Sequence, residues 1–389
     1  MIEECLLISN GTDGPSKMLL RTIQDKELKK TWKGARELVS LAVEAKKAQK
    51  IAKTSLHQLT STVALHANEK RKREEPLTDS ERALVMKHLE DTENGRNGSS
   101  SSSNSSKFVS SEALVSGSMQ HAKMGLRKYL CVGKEKVQTI MKNGEQAIIT
   151  EINQLGDTEV IGMLNYILNE PCSEKSYPNG IRDKGRSPTM HLIDFVQDEN
   201  AVGAGLERAH VIALRLYTTL AYKSINDPLR DQERFKNKEI HPLPATVIFL
   251  RDALLKLRVI VDDMEEKTQS IVVDTHKVFW RGIRKVHLTE DFIKNGGTEL
   301  APMSTTSSLK VALQYGNSDV GVLFRIKVPD ALTHGADLRW ISVFPGDEEI
   351  LYPPFTFLRP TERKIQQVIG SKGQSLTIIE VSPDLSAGE

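Results

Sequence analysis

Cysteine is scarce in this chain. Only Cys5, Cys131 and Cys172 occur among 389 residues, far apart and odd in number, which excludes a disulfide framework and a Cys-x-x-Cys metal site. A reducing compartment follows. Charge of one sign is also lacking: the formal net charge is +2, so no global field draws the protein to nucleic acid or to an anionic membrane. No segment approaches membrane-spanning length, and the N-terminus carries Glu3 and Glu4 where a secretory signal needs positive charge. The expectation is a soluble, cytoplasmic protein with neither membrane nor nucleic acid as partner. Gly-x-Ser-x-Gly, P-loop and Gly-x-Gly-x-x-Gly patterns are missing, which leaves α/β-hydrolase, NTPase and Rossmann readings without their signal. The ten histidines form no His-x-x-x-His or Cys/His cluster, so no metal is expected.

What is present is an apolar content of 39%, enough for a sizeable core, and a chain that changes texture along its length. Residues 1–93 read as a helical region. Val39, Val43, Ala48 and Ile51 recur at mixed spacings of three to five, an amphipathic helix suited to self-association or to a partner helix. From Arg21 to Glu75 basic residues are twice as numerous as acidic ones, ending in Lys70-Arg-Lys-Arg73. That tetrad reads as a nuclear address or, flanked by Glu69, Glu74 and Glu75, as a solvated helix end. Thr78 and Glu81 stand at capping-box spacing before a short helix that runs out at Asn94-Gly95. Residues 94–112 are dominated by Ser, Gly and Asn and read as a disordered linker. Residues 113–186 form a connecting region, helical to Asn169 through Val137, Ile140, Ile148 and Ile152, then loop-like from Pro171 to Pro188.

Beyond 187 two helices precede a series of strands. Val211, Leu214, Tyr217 and Leu220 mark the first helix, over 206–222; Leu250, Leu254, Leu257 and Val261 mark the second. Strands follow at Ile271–Val273, Val278–Trp280, Val322–Val328, Glu349–Phe357 and Ser375–Val381. Helices first and strands afterwards make an α+β fold with a mixed, strand-rich core, not a doubly wound sheet. Val368-Ile-Gly-Ser-Lys-Gly373 looks like an RNA-binding loop, but it runs into a strand and reads as a hairpin turn.

Three short blocks in this region carry the candidate chemistry. They are Arg281-Gly282 at a strand end, Ser304-Thr305-Thr306, and Asp347-Glu348-Glu349 entering a strand that ends in Pro353-Pro354. On an extended backbone Asp347 and Glu349 would point to one side and Glu348 to the other. In this order the blocks resemble the motif set of the arginine-type mono-ADP-ribosyltransferases: an arginine, a Ser-Thr-Ser and a Glu-x-Glu before a strand. Ala213–Thr219 and Ser224–Arg230 are similar to that family's helical segment, and Ser307–Tyr315 to the helix after its serine motif.

The resemblance covers about half the chain and implies a catalytic domain over 187–389. It implies NAD as co-substrate, with no metal, and an acceptor protein as partner. Glu349 would be the catalytic carboxylate, stabilising an oxocarbenium-like centre as nicotinamide leaves. Arg281 would contact NAD phosphates or ribose, Ser304 would hydrogen-bond the catalytic carboxylate, and Thr305 and Thr306 would shape the nicotinamide pocket. Gly282 would admit nicotinamide close to the backbone. Phe344, at the tip of the acceptor-recognition turn 341–346, would stack on a guanidinium, and Asp347 would activate the acceptor. Thr306 and Asp347 depart from the family's usual Ser and Glu, and Asp347 is one bond shorter. ADP-ribosyl transfer to a protein side chain, arginine by resemblance, is the expected function. NAD glycohydrolysis and an inert scaffold are the alternatives.

Overall fold

The structure, a computed structural model, describes residues 77–95, 114–116, 125–177, 180–268, 277–284, 286–316, 320–329, 333–361, 365–369 and 374–385. The basic arm with Lys70–Arg73, its expected self-association, most of the 94–112 linker and the strand expected at Ile271–Val273 lie outside these residues.

Capping sets where the first described helix begins. Thr78 N donates to Glu81 Oε2 at 2.8 Å and Glu81 N to Thr78 Oγ1 at 3.3 Å, the reciprocal pair that their spacing predicts. The helix spans Asp79–Gly95 and packs Val85 and Leu89 with Leu309, Ala312 and Leu313. Further on, helices Lys134–Asn143, Glu145–Leu155 and Thr158–Asn169 are separated by Gly144 and Gly156, both at positive φ. Leu114–Ser116, inside the stretch expected to be helical, is instead a strand (β1), set by pairing with a sheet edge and not by local propensity. The loop expected over 171–188 likewise contains a hairpin, β2 (Lys175–Tyr177) with β3 (Gly180–Arg182).

The helix expected over 206–222 divides into Arg208–Tyr217 and Tyr222–Arg230. Thr218 and Thr219 interrupt it, because their hydroxyls donate back to the carbonyls of Arg215 and Leu216 at 2.8 and 2.7 Å. Helix Pro244–Thr268 follows. Ile148, Ile152 and Leu164 join Val211, Leu214, Leu250 and Leu254 in one core, so the helices read as a connecting region share their interior with those beyond 187. Each such side chain buried contributes about 1.5–3 kcal/mol of transfer free energy.

The remaining strands are β4 (Lys277–Arg284), β5 (Gly297–Glu299), β6 (Met303–Thr306), β7 (Val320–Val328), β8 (Ala336–Asp337), β9 (Glu349–Tyr352), β10 (Thr356–Pro360), β11 (Gln366–Ile369) and β12 (Ser375–Asp384). They form one sheet in the order β1-β5-β10-β12-β7-β4-β6-β9-β8, with β11 paired to β12 as the expected hairpin. Strand β7 runs parallel to β12 and antiparallel to β4, so the sheet is mixed and the fold α+β. The strand entered at Glu349 ends at Pro353-Pro354, as read, but residues up to 357 do not continue it: they open a second strand, because the two prolines cannot donate to a ladder and Phe355, at φ 69°, turns the chain. Strand β9 therefore pairs with β6 and β8, and β10 crosses to β5 and β12. Among the described residues no helix is long and apolar enough to cross a membrane.

Candidate active site

Strand register brings the three motif blocks together. Trp280 pairs with Thr306 across β4 and β6, and Thr306 pairs with Glu349 across β6 and β9. Ser304, two residues before Thr306, shares its face of the strand and pairs with Leu351. Thr305, on the other face, donates its hydroxyl to the Ile350 carbonyl at 2.8 Å and locks the two strands together. Among the described residues no hydrogen bond joins Ser304 Oγ to the Glu349 carboxylate. The nearest register neighbour of Glu349 is Thr306.

Arg281 is anchored from below. Its Nη1 donates to the Ser304 carbonyl at 2.8 Å and its Nη2 pairs with Glu299 Oε2 at 3.1 Å, while Nε is buried with no partner among the described residues. The other oxygen of Glu299 takes Arg230 Nε at 3.1 Å, so one fully buried carboxylate holds two guanidinium groups. Burial works against the Arg281 charge, and Glu299 and, more weakly, Glu349 support it. Glu299 was not singled out from the sequence. A lone acid between Thr298 and the apolar Leu300-Ala301-Pro302 was the available signal, since a charge buried in such a run needs a partner.

Gly282 is required by packing. A Cβ built there would lie 2.0 Å from the Ala312 carbonyl oxygen and 2.6 Å from Gly316 N. The glycine lets helix Leu309–Gly316 press against β4, on the strand face away from Arg281. Arg284 completes that contact by donating to the Tyr315 and Gln314 carbonyls at 2.7 and 2.6 Å, where the helix leaves its last carbonyls open.

The acids also sit differently from an extended pair. Pro345–Asp347 forms a 3-10 turn and Glu348 adopts a left-handed conformation with φ 47°, so the alternation of a strand does not apply across Asp347 and Glu349. Glu349 is buried, 7% exposed, and its carboxylate accepts no hydrogen bond among the described residues. Glu348 points outward and bonds the Ser307 hydroxyl. Asp347 Oδ2 accepts from Tyr315 Oη at 3.3 Å. Burial first, then the charges of Asp347 and Glu349, push the Tyr315 phenol well above its ordinary value, so it stands as a neutral donor beside both acids. Tyr217, fully buried and raised by burial and then by Glu349, donates to the Pro302 carbonyl at 3.1 Å and accepts from Asn226 at 3.3 Å.

Phe344 meets the β2–β3 hairpin, its ring edge-on to Tyr177 with centroids 6.0 Å apart. Among the described residues no three or more His, Cys, Asp or Glu side chains gather as a metal site. The Glu349 carboxylate lies near enough to the Arg281 guanidinium for its charge to support that of the arginine, which puts an anion and a cation in one buried site.

The family model for NAD:arginine ADP-ribosyltransferases matches residues 151–371, and the chain belongs to that family. ADP-ribosyl transfer from NAD is the chemistry the family defines. Among solved structures, the ADP-ribosyltransferase HopU1 of Pseudomonas syringae is 19% identical over 49% of this chain and 85% of its own, with a TM-score of 0.35. The eucaryotic mono-ADP-ribosyltransferase ART2.2 is 20% identical over 68% of this chain and 93% of its own, with a TM-score of 0.38. Plx2a, a toxin from Paenibacillus larvae, is 17% identical over 50% and 94%, with a TM-score of 0.32. No curated protein matches the sequence.

Proposed function

We propose that this protein cleaves the nicotinamide–ribose bond of NAD and transfers ADP-ribose to an arginine of an acceptor protein. The observation that carries this reading is the buried Glu349 carboxylate, which accepts no hydrogen bond among the described residues and is held by register against Thr306 beside the anchored Arg281. Arg281 binds the NAD phosphates or ribose and keeps its geometry through Glu299. Ser304 and Thr306 line the nicotinamide side, and Thr305 holds β6 to β9 from the other face. As the C–N bond breaks, Glu349 accepts from a ribose hydroxyl and opposes the positive charge that develops on the ribose. Asp347 orients the incoming guanidinium, and Phe344 offers it an aromatic face.

A second reading, NAD glycohydrolysis, is favoured by one feature. Asp347 is shorter than the family's usual Glu and its carboxylate is drawn to Tyr315, so water replaces an arginine that Asp347 does not reach. Incubating the protein with radiolabelled NAD and candidate acceptor proteins separates the two. Label on protein, located on arginine by mass spectrometry, supports transfer; free ADP-ribose alone supports hydrolysis.

A further inference from the structure

Asp183 belongs to no motif block, yet it is the most heavily engaged buried acid in the helical half of the described residues. Its side chain is 0% exposed; it accepts from Arg215 Nη2 at 3.3 Å and from the Tyr166 hydroxyl at 2.5 Å, and Arg186 Nε lies 3.2 Å away as an ion pair without hydrogen-bond geometry. Its backbone sits at φ 47°, in the left-handed region, and its N–H donates to the Val343 carbonyl at 2.7 Å. The two arginines spend their remaining donors on one segment. Arg186 Nη1 reaches the Trp340 carbonyl at 2.8 Å and Nη2 the Ser342 carbonyl at 2.9 Å, while Arg215 Nη1 reaches the Ile341 carbonyl at 3.1 Å. Thr218 Oγ1 accepts from Val343 N at 3.0 Å.

Apart from the bonds to Asp183 itself, these contacts fall on 340–343, with Arg186 Nη2 also reaching the Arg339 carbonyl at 3.2 Å, in the strandless segment that leads into Phe344 and Asp347. A buried charge cluster is a costly way to hold a loop, since apolar residues of similar volume give as much stability. What it adds is fixed orientation, because a guanidinium fork bonded to successive carbonyls leaves the loop one conformation. We infer that Asp183, acting through Arg186 and Arg215, is a positioning residue that sets the acceptor turn 340–347 for the incoming side chain. This rests on the reading of that turn under Proposed function.

The test uses the full chain with Arg186→Lys, which keeps the charge beside Asp183 but not the fork, and Asp183→Asn as a second variant. Nicotinamide release from NAD in water and transfer to polyarginine are measured separately, together with thermal melting. The expected result for Arg186→Lys is nicotinamide release within about twofold of the unmodified protein and a fall of about tenfold or more in kcat/KM for polyarginine, the scale of losing charge-assisted hydrogen bonds. Asp183→Asn should show the same split in its folded fraction, on top of a lower Tm. Parallel loss of both reactions, or unchanged transfer by a folded Arg186→Lys protein, overturns the inference. An unmodified protein that releases nicotinamide but never labels polyarginine also counts against it, since the turn would then serve no such acceptor. An unmodified protein that releases no nicotinamide overturns the reading of the site itself.

Discussion

Arg281 and Glu299 form a buried ion pair, Nη2 to Oε2 at 3.1 Å, and it is this pair that makes the position of Arg281 independent of any ligand. The carboxylate is fully buried and serves Arg230 as well. Removing it as Glu299→Ala leaves two guanidinium groups without their counter-charge. The expected cost is about 3–5 kcal/mol in denaturant unfolding. Glu299→Gln keeps the shape and one acceptor oxygen but sets an amide NH2 against one of the donors it faces, so it should lose part of the same stability and also raise the KM for NAD. A Glu299→Ala protein as stable as the original would contradict the pairing.

Gly282→Ala tests the packing of helix Leu309–Gly316 on β4. The new methyl must displace helix backbone 2.0 Å away, so stability should fall by about 1–3 kcal/mol or more. Equilibrium unfolding measures it. A variant of unchanged stability whose only defect is NAD binding would contradict the packing role and point to a nicotinamide role instead.

These two residues show where the sequence was legible and where it was not. The capping box at Thr78, the α+β order, the final hairpin and the three motif blocks all depend on local spacing or on the order of elements, and they are readable from the chain. Glu299 and Arg230 act through partners 18 and 69 residues away, and Asp183 reaches Arg215 across 32, separations that local spacing does not reveal. The strand register also lies beyond local spacing. It set Thr306, not Ser304, against Glu349, and a single left-handed residue, Glu348, cancelled the alternation assumed for the acids.

Acidity should act through His241. Its Nε2 faces the Ile225 carbonyl at 3.1 Å and its Nδ1 accepts from Leu243 N at 2.9 Å, and burial lowers its value from 6.5 to about 4. The unfolded chain therefore takes up a proton before the native protein does. The stability this neutral ring contributes is complete above pH 6.5 and declines by about 3 kcal/mol as pH falls through 4. Unfolding free energies measured across that interval should fall, and His241→Gln should flatten this part of the profile. An unchanged slope in the variant would assign the decline elsewhere.

Tyr315→Phe should free the Asp347 carboxylate from its hydroxyl partner. If that bond draws Asp347 away from the acceptor, the ratio of transfer to hydrolysis rises in Tyr315→Phe and rises further in Asp347→Glu, which restores the longer arm. The ratio of protein-bound to free ADP-ribose reads this directly. A ratio that drops in both variants would mean that Tyr315 holds Asp347 in its working position.

The central assignment rests on Glu349, and one measurement tests it most directly: nicotinamide release from NAD by Glu349→Gln. The amide keeps the size of the side chain and removes the charge that opposes the developing positive ribose. Release should fall by about 10²-fold or more, with folding unchanged by thermal melting. A folded Glu349→Gln protein that releases nicotinamide at the original rate would contradict the account.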